Sequence, residues 1–160
     1  MTLTKNNFVD GRIIFHRRKT NKVYSIQIHP RAEEIFNYYR TLSVGFCRGK
    51  GKSFLLPFVS YFDDPMKLKK DLTQAIKNTN DYMVKIARIS RIEKGITTYY
   101  ARYSWANIAR GLGYSKDMIA EALGHQYGNS VTGIYLNNYS NEMIDQMNAV
   151  VIEALFQIIN

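Results

Sequence analysis

Tyr99-Tyr100-Ala101-Arg102 puts a phenol and a guanidinium three residues apart, so on a helix Tyr99 and Arg102 share a face. A guanidinium in that position can fork onto two oxygens of a phosphate. Leu123-Gly124-His125 follows 21 residues after Arg102 and places a histidine just beyond a glycine helix stop. An imidazole there can donate a hydrogen bond to a phosphate oxygen or carry a proton. Ten residues further on, Thr132-Gly133-Ile134-Tyr135 offers a phenol as a nucleophile. Near the N-terminus, Arg17-Arg18-Lys19-Thr20-Asn21-Lys22 concentrates four cations in one short turn. Taken singly, each has a plain reading: lone histidines are mostly structural, there are 12 tyrosines, and any arginine of a basic protein can meet a phosphate.

The elements that must position these residues can be read from pattern. Arg12–His16 and Val23–Ile28 are β-prone runs on either side of the basic turn, with Tyr24, Ile26 and Ile28 on one face. Asn21 suits a left-handed position in that turn. Pro30 opens a helix whose expected apolar stripe is Ile35, Tyr38, Tyr39 and Leu42. Residues 43–64 are the least regular and contain the basic, glycine-punctuated stretch Arg48-Gly49-Lys50-Gly51-Lys52. Asp63-Asp64-Pro65 starts a long helix to about Ile89, with Leu68, Leu72, Ile76, Thr79, Met83 and Ile86 as its core-facing stripe. Thr97 or Thr98 caps a helix from Tyr99 to about Arg110, and Ser115 caps a short one, Lys116–Leu123, that Gly124 ends. A further short helix is expected over residues 129–136. Ser140 caps the last helix, whose apolar residues run from Ile144 to Ile159. The expected fold class is α+β, mainly α: one domain over residues 1–160, helical, with a small antiparallel sheet at its N-terminal end.

Composition limits the function. At 160 residues, 46% hydrophobic and 22% charged, the chain is neither collagen-like nor a coiled coil nor wholly disordered. Residues 1–110 hold 21 of the 22 Lys and Arg and 8 of the 13 Asp and Glu, a balance of +13, whereas residues 111–160 have one base, Lys116, and a balance of −4. A basic body with a mildly acidic tail favours a polyanion on one face, held by counterion release and weakened by salt. Cys47 is the single cysteine, and His16, His29 and His125 lack metal-ligand spacing, so neither a disulfide within the chain nor a zinc module is expected. No apolar run approaches the roughly 20 residues of a membrane span, and MTLTKNNFVDGR does not read as a signal peptide. The expected compartment is a reducing cytoplasm, with the protein associated with the nucleoid.

In order, the three motifs resemble the signature of the tyrosine recombinases (the phage-integrase family). The flanking Ala101-Arg102-Tyr103-Ser104-Trp105-Ala106 and Ala122-Leu123-Gly124-His125 match as well, most closely the integrases of Bacteroides-type mobile elements. The likeness runs over about residues 8–150, and the ordered set is specific where its elements are not. It implies a catalytic domain that cleaves and rejoins DNA through a 3′-phosphotyrosyl link, without ATP, metal or other cofactor. Tyr135 would be the nucleophile, Arg102 a phosphate clamp, His125 a donor, and Lys19 the general acid, with Lys22 the alternative lysine. Arg17, Arg18 and Lys22 would contact DNA. The implied partners are double-stranded DNA and further copies of the chain, as a tetramer on DNA, with no membrane and no small-molecule substrate.

Two positions depart from the family pattern. The family usually has histidine where this chain has Tyr99; a phenol donates a hydrogen bond but is a poor base. The family also carries a first catalytic arginine ahead of the hairpin, and nothing before Arg12 matches it. The expectation is therefore a catalytic domain shortened at its N-terminus and inactive by itself, or a relict integrase fragment. The rival class is a non-catalytic DNA-binding module: Ile108–Ala120 resembles two helices joined by a glycine turn. Against it, Lys116–Leu123 carries Asp117 and Glu121 and only one base, where a groove-reading helix needs donors. The last helix must bury its stripe either in its own domain or on a neighbouring subunit.

Overall fold

A computed structural model describes residues 3–17, 21–43, 54, 64–125 and 138–159. Among the described residues, three strands and five α-helices follow the expected order and class, mainly helical with a small antiparallel sheet. Arg18, Lys19, the Arg48–Lys52 stretch, the short helix expected over 129–136 and Tyr135 lie outside the described residues. The chain divides into two compact units, Met1–Phe15 with Gln27–Tyr99, and His16–Ile26 with Tyr100–Asn160.

The sheet has the order β1 (Phe8–Val9), β2 (Arg12–His16), β3 (Val23–Gln27). β1 is an addition to the expected hairpin. Val9 pairs with Arg12 across Asp10-Gly11, whose φ values of +47° and +72° are those a two-residue turn between twisted strands demands. The second turn closes as its residues suggest. The Arg17 N–H donates to the Lys22 carbonyl (3.0 Å), the Asn21 N–H donates to the Arg17 carbonyl (2.8 Å), and Asn21 takes φ +52°.

In the first unit, α1 (Pro30–Ser43) starts at its proline. Its expected stripe is followed only in part: Tyr39 is half-buried, Ile35 and Tyr38 are exposed, and the side chain of Leu42 lies outside the described ones. The anchor is Phe36, whose ring meets Phe8 edge-on at 5.2 Å and so decides which face turns toward the sheet. α2 (Pro65–Ile89) is capped by Asp64, whose carboxylate accepts from the N–H groups of Met66 and Lys67. Leu68, Leu72, Thr79 and Met83 are half-buried as their spacing predicts, but Ile76 and Ile86 are exposed, and the one buried residue of the helix is Ala87. Periodicity identifies a face; how deeply each position sinks depends on what packs there, which the pattern does not contain. Within α2, Asn80 Oδ1 accepts from both the N–H and the hydroxyl of Thr98, which follows the helix.

In the second unit, α3 (Tyr100–Gly111) packs against both α4 (Lys116–Ala122) and α5 (Asn141–Ile159). Ala109, Met118, Ile119, Met147 and Val151 form its buried core, with Trp105, Ile108, Leu123 and Ile144 against it. Ser115 caps α4 by accepting from Met118 N–H, and Ser140 caps α5 by accepting from Met143 N–H. The first half of α5 thus buries its stripe in its own unit, with Met147 and Val151 at 0% and 2% exposure, while Val150 and Leu155 remain outside. Met147→Ala should cost about 2–5 kcal/mol of stability by denaturant unfolding, since a fully buried methionine leaves a cavity. Leu155→Ala should cost much less. Equal, small effects of the two would place the core elsewhere.

Candidate phosphate-binding site

His125 owes its position to the way α4 ends. Gly124 takes φ +73°, its N–H donates to the Glu121 carbonyl (2.8 Å), and the His125 N–H donates to the Ala120 carbonyl (2.8 Å). This pair of bonds is the Schellman closure, and it requires a residue at ease in the left-handed region. The backbone of His125 is thereby pinned to the helix rather than carried on a loose connection.

Arg102, in the first turn of α3, reaches the same place. Its Nη2 donates to the Leu123 carbonyl at 2.7 Å and lies 3.0 Å from His125 Nε2. Leu123 is the C-cap of α4, so its carbonyl belongs to the electronegative end of that helix, where a cation is favoured. A guanidinium only donates, so this contact makes Nε2 the acceptor. For His125 to donate to a phosphate, either Nδ1–H must do so or the phosphate must take over Arg102's side of the contact.

The basic turn meets the helix end at Gly124. A Cβ built there would stand 2.5 Å from Tyr24 Oη and 2.8 Å from Arg17 Nη1. Gly124 is therefore favoured twice, for its φ and because a side chain there would make the Tyr24 hydroxyl and the Arg17 guanidinium shift. Lys22, the alternative lysine of the sequence reading, is held differently. Its Nζ pairs with Glu121 Oε1 at 3.1 Å and lies 5.9 Å from the Tyr24 ring centroid. Glu121 is buried, and its second oxygen accepts from Tyr139 N–H at 3.2 Å. A buried carboxylate satisfied on both oxygens, one by a cation, meets the requirement for burying charge.

Of the sequence-predicted site residues, Arg102, His125, Arg17 and Lys22 gather around the end of α4. Tyr99 precedes α3 as the last residue of the first unit and is exposed. Tyr135, Lys19 and Arg18 lie outside the described residues. Tyr24 and Glu121 were not expected in the site. Tyr24 is legible as an apolar-face residue of β3, but the partner of Glu121 is 99 residues away in sequence and no local pattern reveals it. Among the described residues, no group of three or more His, Cys, Asp or Glu could hold a metal ion, and no helix is long and apolar enough to cross a membrane.

What the arrangement can do is hold an anion: guanidinium and imidazole groups converge on one glycine. Comparison with protein-family models, curated proteins and solved structures gave no match. Gly124→Ala should lower stability by about 1–2 kcal/mol through left-handed strain and should shift the Tyr24 ring signals by NMR. Unchanged Tyr24 signals would contradict the packing of Tyr24 on Gly124.

Proposed function

We propose that this chain is the catalytic domain of a tyrosine-type DNA recombinase, acting on double-stranded DNA as part of a self-associated, tetrameric complex. The observation that carries the reading is the meeting of Arg102 with Leu123 and His125, 21 and 23 residues away along the chain, at one helix end. These are the residues that the motif order singles out. In the proposed reaction Tyr135 releases its phenolic proton to solvent as its oxygen bonds to the scissile phosphorus. The bond from phosphorus to the 5′ oxygen breaks, and Lys19 gives a proton to that leaving oxygen. A 3′-phosphotyrosyl link and a free 5′-hydroxyl result, and the reverse sequence rejoins a strand. Arg102 and His125 offset the charge that builds on the non-bridging oxygens. A lysine suits the acid role because its ammonium can release a proton.

The basic turn beside this cluster supports DNA as the source of the phosphate. The rival reading, a non-catalytic helix-turn-helix module, is less well supported. α4 turns Met118, Ile119 and Glu121 inward, which leaves Lys116 as its single outward base.

A nicked duplex that loses its cleaved strand traps the covalent intermediate. The expected result is a protein–DNA adduct that maps to Tyr135 and disappears in Tyr135→Phe. Arg102→Ala should reduce it by on the order of a hundredfold or more. An adduct that survives in Tyr135→Phe, or that maps to Tyr127 or Tyr139, overturns the assignment.

A further inference from the structure

We propose that Arg17 is the second guanidinium of the phosphate site, so that one phosphate is held from two sides of Gly124, by Arg17 from the hairpin turn and by Arg102 from α3. The inference rests on the reading of this cluster as a DNA phosphate site. It gives Arg17 a direct role at that phosphate in place of a general contact with the duplex.

Position is the first support. The backbone N–H and carbonyl of Arg17 are both bonded within the turn, so its side chain starts from a fixed point. Its Nη1 lies against Gly124, the residue between the carbonyl that Arg102 binds and the histidine that Arg102 meets. The absent Cβ of Gly124 leaves a notch that any other residue would fill.

Charge is the second. Two guanidinium groups and an imidazole stand around one glycine, and among the described residues no carboxylate pairs with either guanidinium. Glu121 is close in sequence, but its two oxygens are taken by Lys22 and by Tyr139 N–H. The contrast with Lys22 is informative. The same turn supplies one cation that is neutralised by a buried acid and another that is not. Like charges gathered without a counter-charge repel, and an anion seated between them reverses the sign of that interaction. The donors fit a tetrahedral oxyanion: Arg102 commits Nη2 to the protein and keeps its other N–H groups, and Arg17 brings a second fork.

Titration with inorganic phosphate, followed by NMR of the arginine side-chain N–H groups and the His125 ring, separates this proposal from the reading beneath it. The expected result is that Arg17, Arg102 and His125 respond on a single saturable curve. Arg17→Ala should weaken phosphate binding by about tenfold, as for a lost charged hydrogen bond. Arg17→Lys, which keeps the charge and loses the fork, should fall between. Arg110→Ala, distant in sequence on the last turn of α3, should bind as the parent does. Circular dichroism of each variant verifies folding. If Arg102 and His125 respond while Arg17 does not, and both Arg17 variants bind phosphate as the parent does, the proposal is overturned and the phosphate-site reading stands. If none of the three responds, both fall. With duplex DNA in place of inorganic phosphate, Arg17→Ala should lower the salt dependence of binding by about one phosphate contact. An unchanged salt dependence would overturn the assignment of that phosphate to DNA.

Discussion

The contact of Arg102 with the last carbonyl of α4 and with His125 joins two helices at the point where chemistry is proposed. It forms only if α3 and α4 meet in one register, which the packing of Ala109 on α3 with Met118 and Ile119 on α4 secures. It also needs α4 to stop at Leu123, which the left-handed Gly124 secures. A helix running one turn further would engage the Leu123 carbonyl in its own ladder and carry His125 to another face. The site is therefore a consequence of a helix stop, and the small buried core of α3, α4 and α5 serves to hold that stop against Arg102.

Charge is sorted within a few residues of this stop. Lys22 is matched to the buried Glu121, which also fastens the chain at Tyr139, just ahead of α5. That carboxylate thus joins the hairpin turn, α4 and the start of the last helix. Arg17 and Arg102 are left as cations without a paired carboxylate among the described residues. A structural ion pair and two guanidinium groups without a paired carboxylate among the described residues gather at the same helix end, and the difference between them is where the acid was placed. Such a division lets the turn be held in position without lowering the positive potential offered to a phosphate.

Much of this was legible in the sequence because it depends on local chemistry. Asp64-Pro65, Ser115, Gly124 and Ser140 each start or end a helix for reasons contained in their own side chains or backbone freedom. Asp10-Gly11 carries an equally local signal, a two-residue turn, and with it the strand Phe8–Val9 that the hairpin reading omitted. What periodicity could not supply was depth and partnership. Phe36, rather than Ile35 or Tyr38, anchors α1 because Phe8 happens to lie there. Ile76 and Ile86 stay exposed although they continue the α2 stripe. The pairing of Lys22 with Glu121 joins positions that only the fold brings together. The motif order did single out Arg102 and His125, and their meeting across 23 residues is the part of the expectation that geometry addresses most closely.

The most direct test of the central claim, that the cluster at Gly124 seats a DNA phosphate, is a crystal structure of the chain bound to a short duplex. The account predicts a backbone phosphate within hydrogen-bonding distance of the Arg102 guanidinium and the His125 ring, in place of their present contact with each other. A complex in which the duplex lies along the lysines of α2 and no phosphate approaches Arg102 or His125 would contradict it.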